Sequence, residues 1–172
     1  MKHTNIKFYS LLCAMAILSL TLVGCAKSIS QKASETVAER IIEQQTGGNA
    51  DVDIDDGNVK VESNQGKMEA GENVALPDDF PNDVYVIEGT IKVAVSDNES
   101  KGQSVSIETD KTVEEISSTY QEKLKANGWK ITGTMSFGDS ATVMAEKDDR
   151  TVSVIISKGE SKNIVTLGVG KK

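Results

Sequence analysis

The carboxylates of residues 51–62 are spaced in a way that could bind a cation. Four acids take positions 1, 3, 5 and 12 of a calcium-loop frame: Asp51, Asp53, Asp55 and Glu62. Side-chain oxygens at these positions are the ligands that Ca²⁺ takes in such a loop. The frame fails at its sixth position, which holds Asp56, because the glycine follows one residue later. We name Asp51, Asp53, Asp55 and Asp56 the aspartate cluster. A weak calcium site there is one hypothesis, and no firm metal ligand is assigned.

A β-hairpin is the competing interpretation of the same residues. Asp56-Gly57 is favoured in tight type I′ turns, since these turns need positive φ at both central residues. A turn at this dipeptide would pair Val52 with Val61 and Asp53 with Lys60. Apolar residues then face apolar ones and an acid faces a base, in a single register. This agreement favours the hairpin over the calcium loop.

A helix is predicted ahead of the hairpin, beginning near residue 30. Its apolar residues recur at helical spacing: Ala33, Val37, Ala38, Ile41 and Ile42. An acidic stripe, expected to be solvated, falls on roughly the opposite face: Glu35, Glu39 and Glu43. Gly47 and Gly48 supply a stop, because Gly adopts the left-handed conformation without a Cβ clash. A short strand around Lys67–Ala70 would follow the hairpin.

Leu22-Val23-Gly24-Cys25 ends a segment that has the pattern of an export signal. Two lysines and no acid precede an uncharged run over residues 8–22. That pattern is typical of a signal peptide, and the run is short for a membrane-spanning helix, which needs about 20 apolar residues. The four residues resemble the lipobox of bacterial lipoproteins. The resemblance implies cleavage before Cys25, a diacylglyceryl thioether on its sulfur, and an acyl chain such as palmitate on its amine.

Two partners and a location follow from this resemblance. The membrane is the first predicted partner, through lipid on Cys25, since two or more acyl chains anchor a protein firmly. The expected location is the extracytoplasmic face of the cell membrane. An envelope protein is the second predicted partner.

The predicted signal removes the residues on which most catalytic and metal chemistry depends. His3 is the one histidine of the chain, and Cys13 is one of its two cysteines. Their loss excludes Ser-His-Asp and Cys-His nucleophiles, zinc sites built on His or Cys, and internal disulfides. The acidic pair Glu114-Glu115 is explained by the dipole of the helix that it opens. We therefore predict a protein that is not an enzyme and has no catalytic residue and no cofactor.

The charge of the chain argues against nucleic-acid binding. The formal net charge is −7, and loss of Lys2 and Lys7 with the signal makes it more negative. Such a surface repels phosphate backbones. Few aromatic residues remain downstream of Cys25 to stack on bases: Phe80, Tyr85, Tyr120, Trp129 and Phe137.

The sequence predicts four segments. They are a signal peptide over 1–24, a lipid-anchored helix plus β-hairpin unit over 25–70, a linker over 71–83, and a sheet domain over 84–172. Both prolines, Pro77 and Pro81, lie in the linker, where they fix φ and stiffen the chain.

The predicted sheet domain has the order ββαββββ. Alternating apolar residues predict strands around 91–95, 105–107, 129–136, 141–147, 151–157 and 164–170. Short polar loops between them favour antiparallel pairing, with the single helix on one face. The fold class is therefore α+β. The uncovered face of this sheet, or the acidic first unit, would be the working surface.

The predicted helix of this domain carries end signals. Thr112 and Glu115 have the spacing of a capping box. Gly128 follows the helix at the position that favours left-handed backbone, and Trp129 comes next, where it can pack on Leu124 in a Schellman motif.

The last part of the chain resembles a domain that recurs in uncharacterised bacterial lipoproteins. The resemblance rests on five features: Leu76-Pro77-Asp78-Asp79-Phe80-Pro81, Thr112-x-x-Glu115, Tyr120, Gly128-Trp129 and Lys147-x-x-Arg150. At fold level the domain is also similar to helix-grip modules of outer-membrane assembly lipoproteins. Both resemblances imply a fold and no activity. The predicted function is a membrane-anchored, non-enzymatic binding or structural role; the alternative is a calcium-responsive module that uses the aspartate cluster, and a carboxylate hydrolase is disfavoured.

Overall fold

A computed structural model of the chain describes residues 50–55, 57–72 and 74–172. All of them belong to one compact unit. The predicted export signal, the lipobox with Cys25 and the predicted helix near residues 30–46 lie outside the described residues, as does Asp56.

The described residues form nine strands and one helix. In chain order they are β1 (Ala50–Asp55), β2 (Asn58–Ser63), β3 (Gly66–Ala70), β4 (Thr90–Asp97), β5 (Gln103–Thr109), α1 (Val113–Ala126), β6 (Lys130–Phe137), β7 (Ser140–Lys147), β8 (Arg150–Ser157) and β9 (Asn163–Lys171). The predicted α+β class, with one helix on an antiparallel sheet, is confirmed. Among these elements there is no helix with the length and hydropathy to cross a membrane.

The nine strands make one antiparallel sheet in the order β1-β2-β3-β4-β5-β9-β8-β7-β6. The chain leaves the middle of the sheet at the end of β5 and re-enters it at the edge strand β6. α1 makes this crossing and packs on β6, β7 and β8. We call the sheet face that carries α1 the inner face and the opposite one the outer face.

The predicted hairpin register is confirmed. Val52 pairs with Val61 and Asp53 with Lys60. The next strand, β3, joins this hairpin to the rest of the sheet, since Met68 lies opposite Val61 on one side and Val95 on the other. Strand pairing is therefore continuous across the sheet from β1 to β6. The predicted linker at residues 71–83 stays a prediction that the chain folds as separate units on its two sides.

The core lies between α1 and the inner face. From α1 it takes Ile116, Tyr120 and Leu124, and from the four strands β5, β9, β8 and β7 it takes Val105, Ile107, Val165, Leu167, Val169, Val152, Val154, Ile156, Ala141, Val143 and Ala145. Full burial of one large aliphatic side chain stabilises a fold by roughly 1.5–3 kcal/mol. This cluster is therefore the main source of stability in the described part of the chain.

Both ends of α1 have the predicted caps. The Glu115 amide donates to Thr112 Oγ1 at 3.2 Å, and the Thr112 amide donates to Glu115 Oε2 at 2.8 Å. At the other end the Trp129 amide donates to the Leu124 carbonyl at 2.9 Å. Gly128 lies between them with φ +81°. This is the Schellman geometry, in which the residue after the cap adopts left-handed backbone.

We expect Gly128→Ala to lower the free energy of unfolding by about 1–2 kcal/mol, because a Cβ makes the left-handed conformation costly. Gly170→Ala is the matched control, since Gly170 lies in β9 and a Cβ there would meet no atom within 4 Å. Chemical denaturation measures both variants. Equal midpoints for Gly128→Ala and the control would show that α1 does not end in this conformation.

Candidate functional site

The space between α1 and the inner face leaves no room for a ligand. Three α1 side chains, Ile116, Tyr120 and Leu124, are 0% exposed, as are Val143 and Leu167 in the strands beneath them. A void large enough to hold a ligand would leave accessible area on these side chains. Any binding surface formed by the described residues therefore lies elsewhere.

The outer face carries an exposed apolar patch at the β6 end of the sheet. It consists of Met135, Phe137, Met144, Ile155 and Ile164, which we call the outer patch. Phe137 is 87% exposed and Met135 66% exposed. Single exposed apolar residues are ordinary, but a contiguous group marks an interaction surface.

The strand register makes the outer patch contiguous. Met135 lies diagonally across from Met144, since its direct partner is Thr142. Thr142 also pairs with Ile155, which puts Ile155 diagonally beside Met144. Diagonal neighbours in an antiparallel pair are roughly 7–8 Å apart, within reach of long side chains.

Gly133 makes room for one member of this patch. It is the direct partner of Met144, and a Cβ built on it would lie 3.8 Å from Met144 Cε. The thioether therefore lies across the bare backbone of β6. Methionine in such a position can adapt its shape to a partner, because its side chain is unbranched and flexible.

Hydroxyl groups surround the outer patch, and ion pairs lie beyond them. Ser140, Thr142, Ser153, Ser157 and Thr166 occupy outer-face positions directly opposite its members. Further out, Lys158 pairs with Asp139 at 3.1 Å and Lys172 with Glu146 at 2.9 Å. An apolar centre with a polar rim is the usual anatomy of a protein interface.

The patch reaches an open sheet edge. Within the described part of the chain, β6 pairs only with β7. Residues 133–137 of this strand carry no charge and no proline, the two devices by which proteins commonly protect a sheet edge. A bulge between Ile131 and Gly133 is the protection that β6 does have.

A second cluster forms around Asp83, in the segment that precedes β4. Its carboxylate accepts two hydrogen bonds from the Arg150 guanidinium, at 2.8 and 2.9 Å, and one from Lys147 Nζ at 2.8 Å. Its backbone carbonyl accepts from Trp129 Nε1 and Asn127 Nδ2, both at 3.0 Å. We call these residues the Asp83 cluster.

The Asp83 cluster has a structural role. The Arg150 guanidinium, with help from Lys147, holds the pKa of the Asp83 carboxyl down at about 2. A carboxylate that is ionised and bidentate to arginine is a poor general acid or base near neutral pH. The guanidinium also lies 4.9 Å from the centre of the Trp129 ring, a cation–π distance. The cluster ties the segment before β4 to the end of α1 and to the β7–β8 hairpin.

Several of the residues that carry the predicted lipoprotein resemblance lie in this cluster or contact the segment beside it. Lys147, Arg150 and Trp129 belong to the cluster itself. Phe80 is 5% exposed and joins the core. The buried Tyr120 hydroxyl accepts a hydrogen bond from the Ile87 amide at 3.4 Å, and burial raises its pKa. These contacts maintain the fold.

Sequence reasoning missed Asp83. It named the cations Lys147 and Arg150 without a partner, although a buried or half-buried pair of cations needs an acid. The available signal was an acid close after Pro81, in a segment expected to pack on the domain. Without the fold, Asp83 could not be distinguished from the neighbouring acids Asp78 and Asp79 as the partner of these cations.

A small, half-open pocket of about 120 Å³ lies beside the Asp83 cluster. Its walls are Asp79, Pro81, Lys101, Gln103, Arg150, Val169, Gly170 and Lys171. Inside it the Gln103 amide donates to the Asp79 carboxylate. Pockets for organic ligands are typically about 300–1,000 Å³, so this pocket is smaller than the usual ligand site.

The aspartate cluster is divided by the boundary of the described residues. Asp51, Asp53 and Asp55 are exposed on the inner-face side of β1, while Asp56 lies outside the described residues. Their cross-strand partners are Glu62, Lys60 and Asn58. No three acidic, His or Cys side chains among the described residues gather closely enough to hold a metal ion. The calcium site stays a hypothesis, and Cys25 also lies outside the described residues.

The Glu114-Glu115 pair sits in the first turn of α1, as expected. Glu115 is engaged in the capping box, and the hydrogen bond from the Thr112 amide lowers the pKa of its carboxyl. Glu115 therefore caps the helix, and Glu114 lies beside it in the acidic first turn.

One comparison with known proteins gives a match. A family model described as START domain-like matches residues 87–163, which run from the end of the segment before β4 to the first residue of β9. This part of the chain is similar to a ligand-binding fold that is generally non-enzymatic. Neither the curated proteins nor the solved structures include a match to the chain. The similarity indicates a ligand-binding role.

We expect Asp83→Asn to lower the free energy of unfolding by about 1–2 kcal/mol at neutral pH. This is less than the full change in the Asp83 pKa would give, because the carboxylate is partly solvated. The lowered pKa means that the stabilisation is present above about pH 4 and is lost as the pH falls toward 2. The difference from the unaltered protein should therefore shrink over that range.

Asp139→Asn is the control, because its ion pair with Lys158 is exposed and should change stability by less than about 0.5 kcal/mol. Denaturant titrations at pH 7, 4 and 2.5 make the comparison. A loss for Asp83→Asn that is the same at all three pH values would contradict the ionic origin of the effect.

Proposed function

We propose that this protein is a lipoprotein of the extracytoplasmic face of the cell membrane, anchored by lipid on Cys25, and that its folded part binds an envelope protein through the outer patch. The exposed, contiguous apolar surface of the patch is the observation that carries the binding role. The role is binding and not catalysis.

The anchor is supported by the sequence around Cys25. A basic start, an uncharged run and the lipobox-like Leu22-Val23-Gly24-Cys25 stand in the order that lipid attachment requires. A protein fixed to the membrane in this way meets partners by lateral encounter, and a modest binding surface is then sufficient.

A non-enzymatic role is supported by the state of the acidic groups. The carboxylate with the most perturbed pKa, Asp83, is closed in by Arg150 and Lys147. The similarity to a START-like domain points the same way. The described part of the chain is therefore better suited to binding through its surface than to transferring protons.

A protein is the partner that suits the outer patch best. An aromatic residue and two methionines, Phe137, Met135 and Met144, are types that interface centres favour. The formal net charge of −7 disfavours docking on anionic lipid or nucleic acid. The uncharged edge of β6 adds free backbone groups that an extended segment of the partner could pair with.

The anchor is tested by Cys25→Ala in cells fed a radiolabelled fatty acid. We expect the unaltered chain and a Cys13→Ala control to incorporate label, and the Cys25→Ala variant to stay unlabelled at its unprocessed mass. Label that persists in Cys25→Ala would refute lipid attachment at this residue.

The binding surface is tested by a photoreactive amino acid at position 137 of the full chain in its native membrane. We expect one dominant protein adduct, which is lost when Met135 and Ile155 are both replaced by Ser. The matched control carries the probe at Glu122, an exposed residue of α1 on the inner side. Identical adducts from positions 137 and 122, or none from 137, would contradict the proposal.

A further inference from the structure

The two end strands of the described sheet differ in how their edges are protected. Along β1 every second residue is charged, namely Asp51, Asp53 and Asp55. Charges of this kind keep another strand from pairing with an edge. At the other end of the sheet, residues 133–137 of β6 carry no charge, and β6 pairs only with β7 among the described residues. We call residues 133–137 the free edge, because it can accept one more strand.

Both sides of the free edge are open to solvent. On the outer face Met135 is 66% exposed and Phe137 is 87% exposed. On the inner face Thr134 and Ser136 are exposed too, so α1 does not cover the strand at these positions. The described residues therefore leave space on both faces for the side chains of an added strand.

Gly133 is an unusual residue for the middle of a strand, because glycine has no side chain to pack against its neighbours. An aromatic side chain across from such a glycine on an edge strand restores the missing contact. Within the chain the residue across from Gly133 is Met144, which is not aromatic. Phe137 lies on the same face of the same strand and keeps most of its surface in water. The free edge thus carries both a glycine that lacks an aromatic neighbour and an aromatic residue that lacks a partner.

We propose that the free edge is a homodimer interface, in which β6 pairs antiparallel with β6 of a second copy of this chain about a twofold axis at Met135. In this register Phe137 of each copy lies directly opposite Gly133 of the other. Thr134 lies opposite Ser136 in the same way, and the two Met135 residues face each other. A twofold interface requires such self-complementarity, since the same patch serves both subunits.

This register matches residue types on both faces of the sheet. On the outer face each Phe137 ring would cover a glycine and reach the Met144 thioether, whose Cε lies 3.8 Å from the position of a Cβ on Gly133. Contacts between sulfur and an aromatic ring are favourable. On the inner face Thr134 and Ser136 form cross-strand pairs of hydroxyl groups, which can hydrogen bond to each other.

Charge favours this edge over the other one as the place where two copies meet. Two chains that each carry a formal net charge of −7 repel one another. The repulsion is weakest where the facing surfaces are uncharged, as they are at the free edge. Pairing of two β1 strands would instead bring the three aspartates of one copy against those of the other.

The paired region is short, and this sets the strength and the reach of the contact. Five residues from each copy bury less than the roughly 800 Å² per partner of a standard interface, so we expect a reversible dimer. Ile155 and Ile164 stay uncovered on the outer face, and the two outer patches would join into one larger surface. The inference goes beyond the proposed binding function and does not depend on it. Only one strand can pair with the free edge, so a second copy would exclude an extended segment of another protein there.

Disulfide trapping at Met135 tests the pairing. Residues directly opposite each other in an antiparallel pair have Cα atoms about 4.5–5.5 Å apart, a separation that a disulfide can span. Met135→Cys and the control Ser140→Cys are each introduced into the full chain carrying Cys13→Ala, and cells that make these variants are treated with a thiol oxidant. Ser140 is also exposed, but its two copies would lie roughly 20 Å apart in this dimer.

We expect Met135→Cys to give at least about fivefold more disulfide-linked dimer than Ser140→Cys on a non-reducing gel. The chain with Cys13→Ala alone gives the background from Cys25. Equal amounts of dimer from the two variants would overturn the proposal, because chance collision of exposed thiols would then explain both.

A charge exchange on the inner face tests the register. Thr134→Lys combined with Ser136→Lys places like charges directly opposite each other at two positions, which destabilises strand pairing. We expect this change to reduce trapping at Met135→Cys by at least about fivefold. Thr134→Lys combined with Ser136→Glu places opposite charges there and should restore the trapping. Both positions are exposed, so these changes leave the core intact. Trapping that survives the two lysines, or that the lysine and glutamate do not restore, would overturn the proposal.

Discussion

The rest of the structure depends on one constraint. A sheet has two faces, and an apolar region on either face must be covered by another element or serve as a binding surface. The nine strands form one continuous sheet, so a single alternation of residues runs through all of them. The inner face is apolar from β5 to β7, where α1 closes it. On the outer face the outer patch is exposed, and it is the surface that we propose for binding.

The Asp83 cluster keeps α1 and the segment before β4 in their places. One carboxylate and one carbonyl of Asp83 bind two cations, an indole and an amide from two separate parts of the chain, the end of α1 and the β7–β8 hairpin. Among the described residues no side-chain nitrogen or oxygen is buried without a hydrogen bond. The residues of this cluster thus serve the architecture of the domain, and the surface that we propose for binding is a different one.

Local signals predicted the local structure well. The capping box at Thr112, the Schellman turn at Gly128 and the hairpin register at Val52 and Val61 all depend on residues close together in sequence, and all three are confirmed. What required the fold was long-range. Asp83 meets Arg150 only after α1 has crossed the sheet, and the outer patch exists only because β6 lies at the edge beside β7. The continuity of the sheet from β3 to β4 could not be predicted either, since a proline-containing segment lies between them in the chain.

The central claim is that the outer patch is the surface through which this protein binds. Met135 and Met144 lie within that patch, so their oxidation by peroxide can be compared between the purified protein and the protein in its native membrane. The account predicts that both oxidise at least about fivefold more slowly in the membrane, where a partner covers them, while the Met68 rate stays the same. Equal rates for Met135 and Met144 in the two preparations would contradict it.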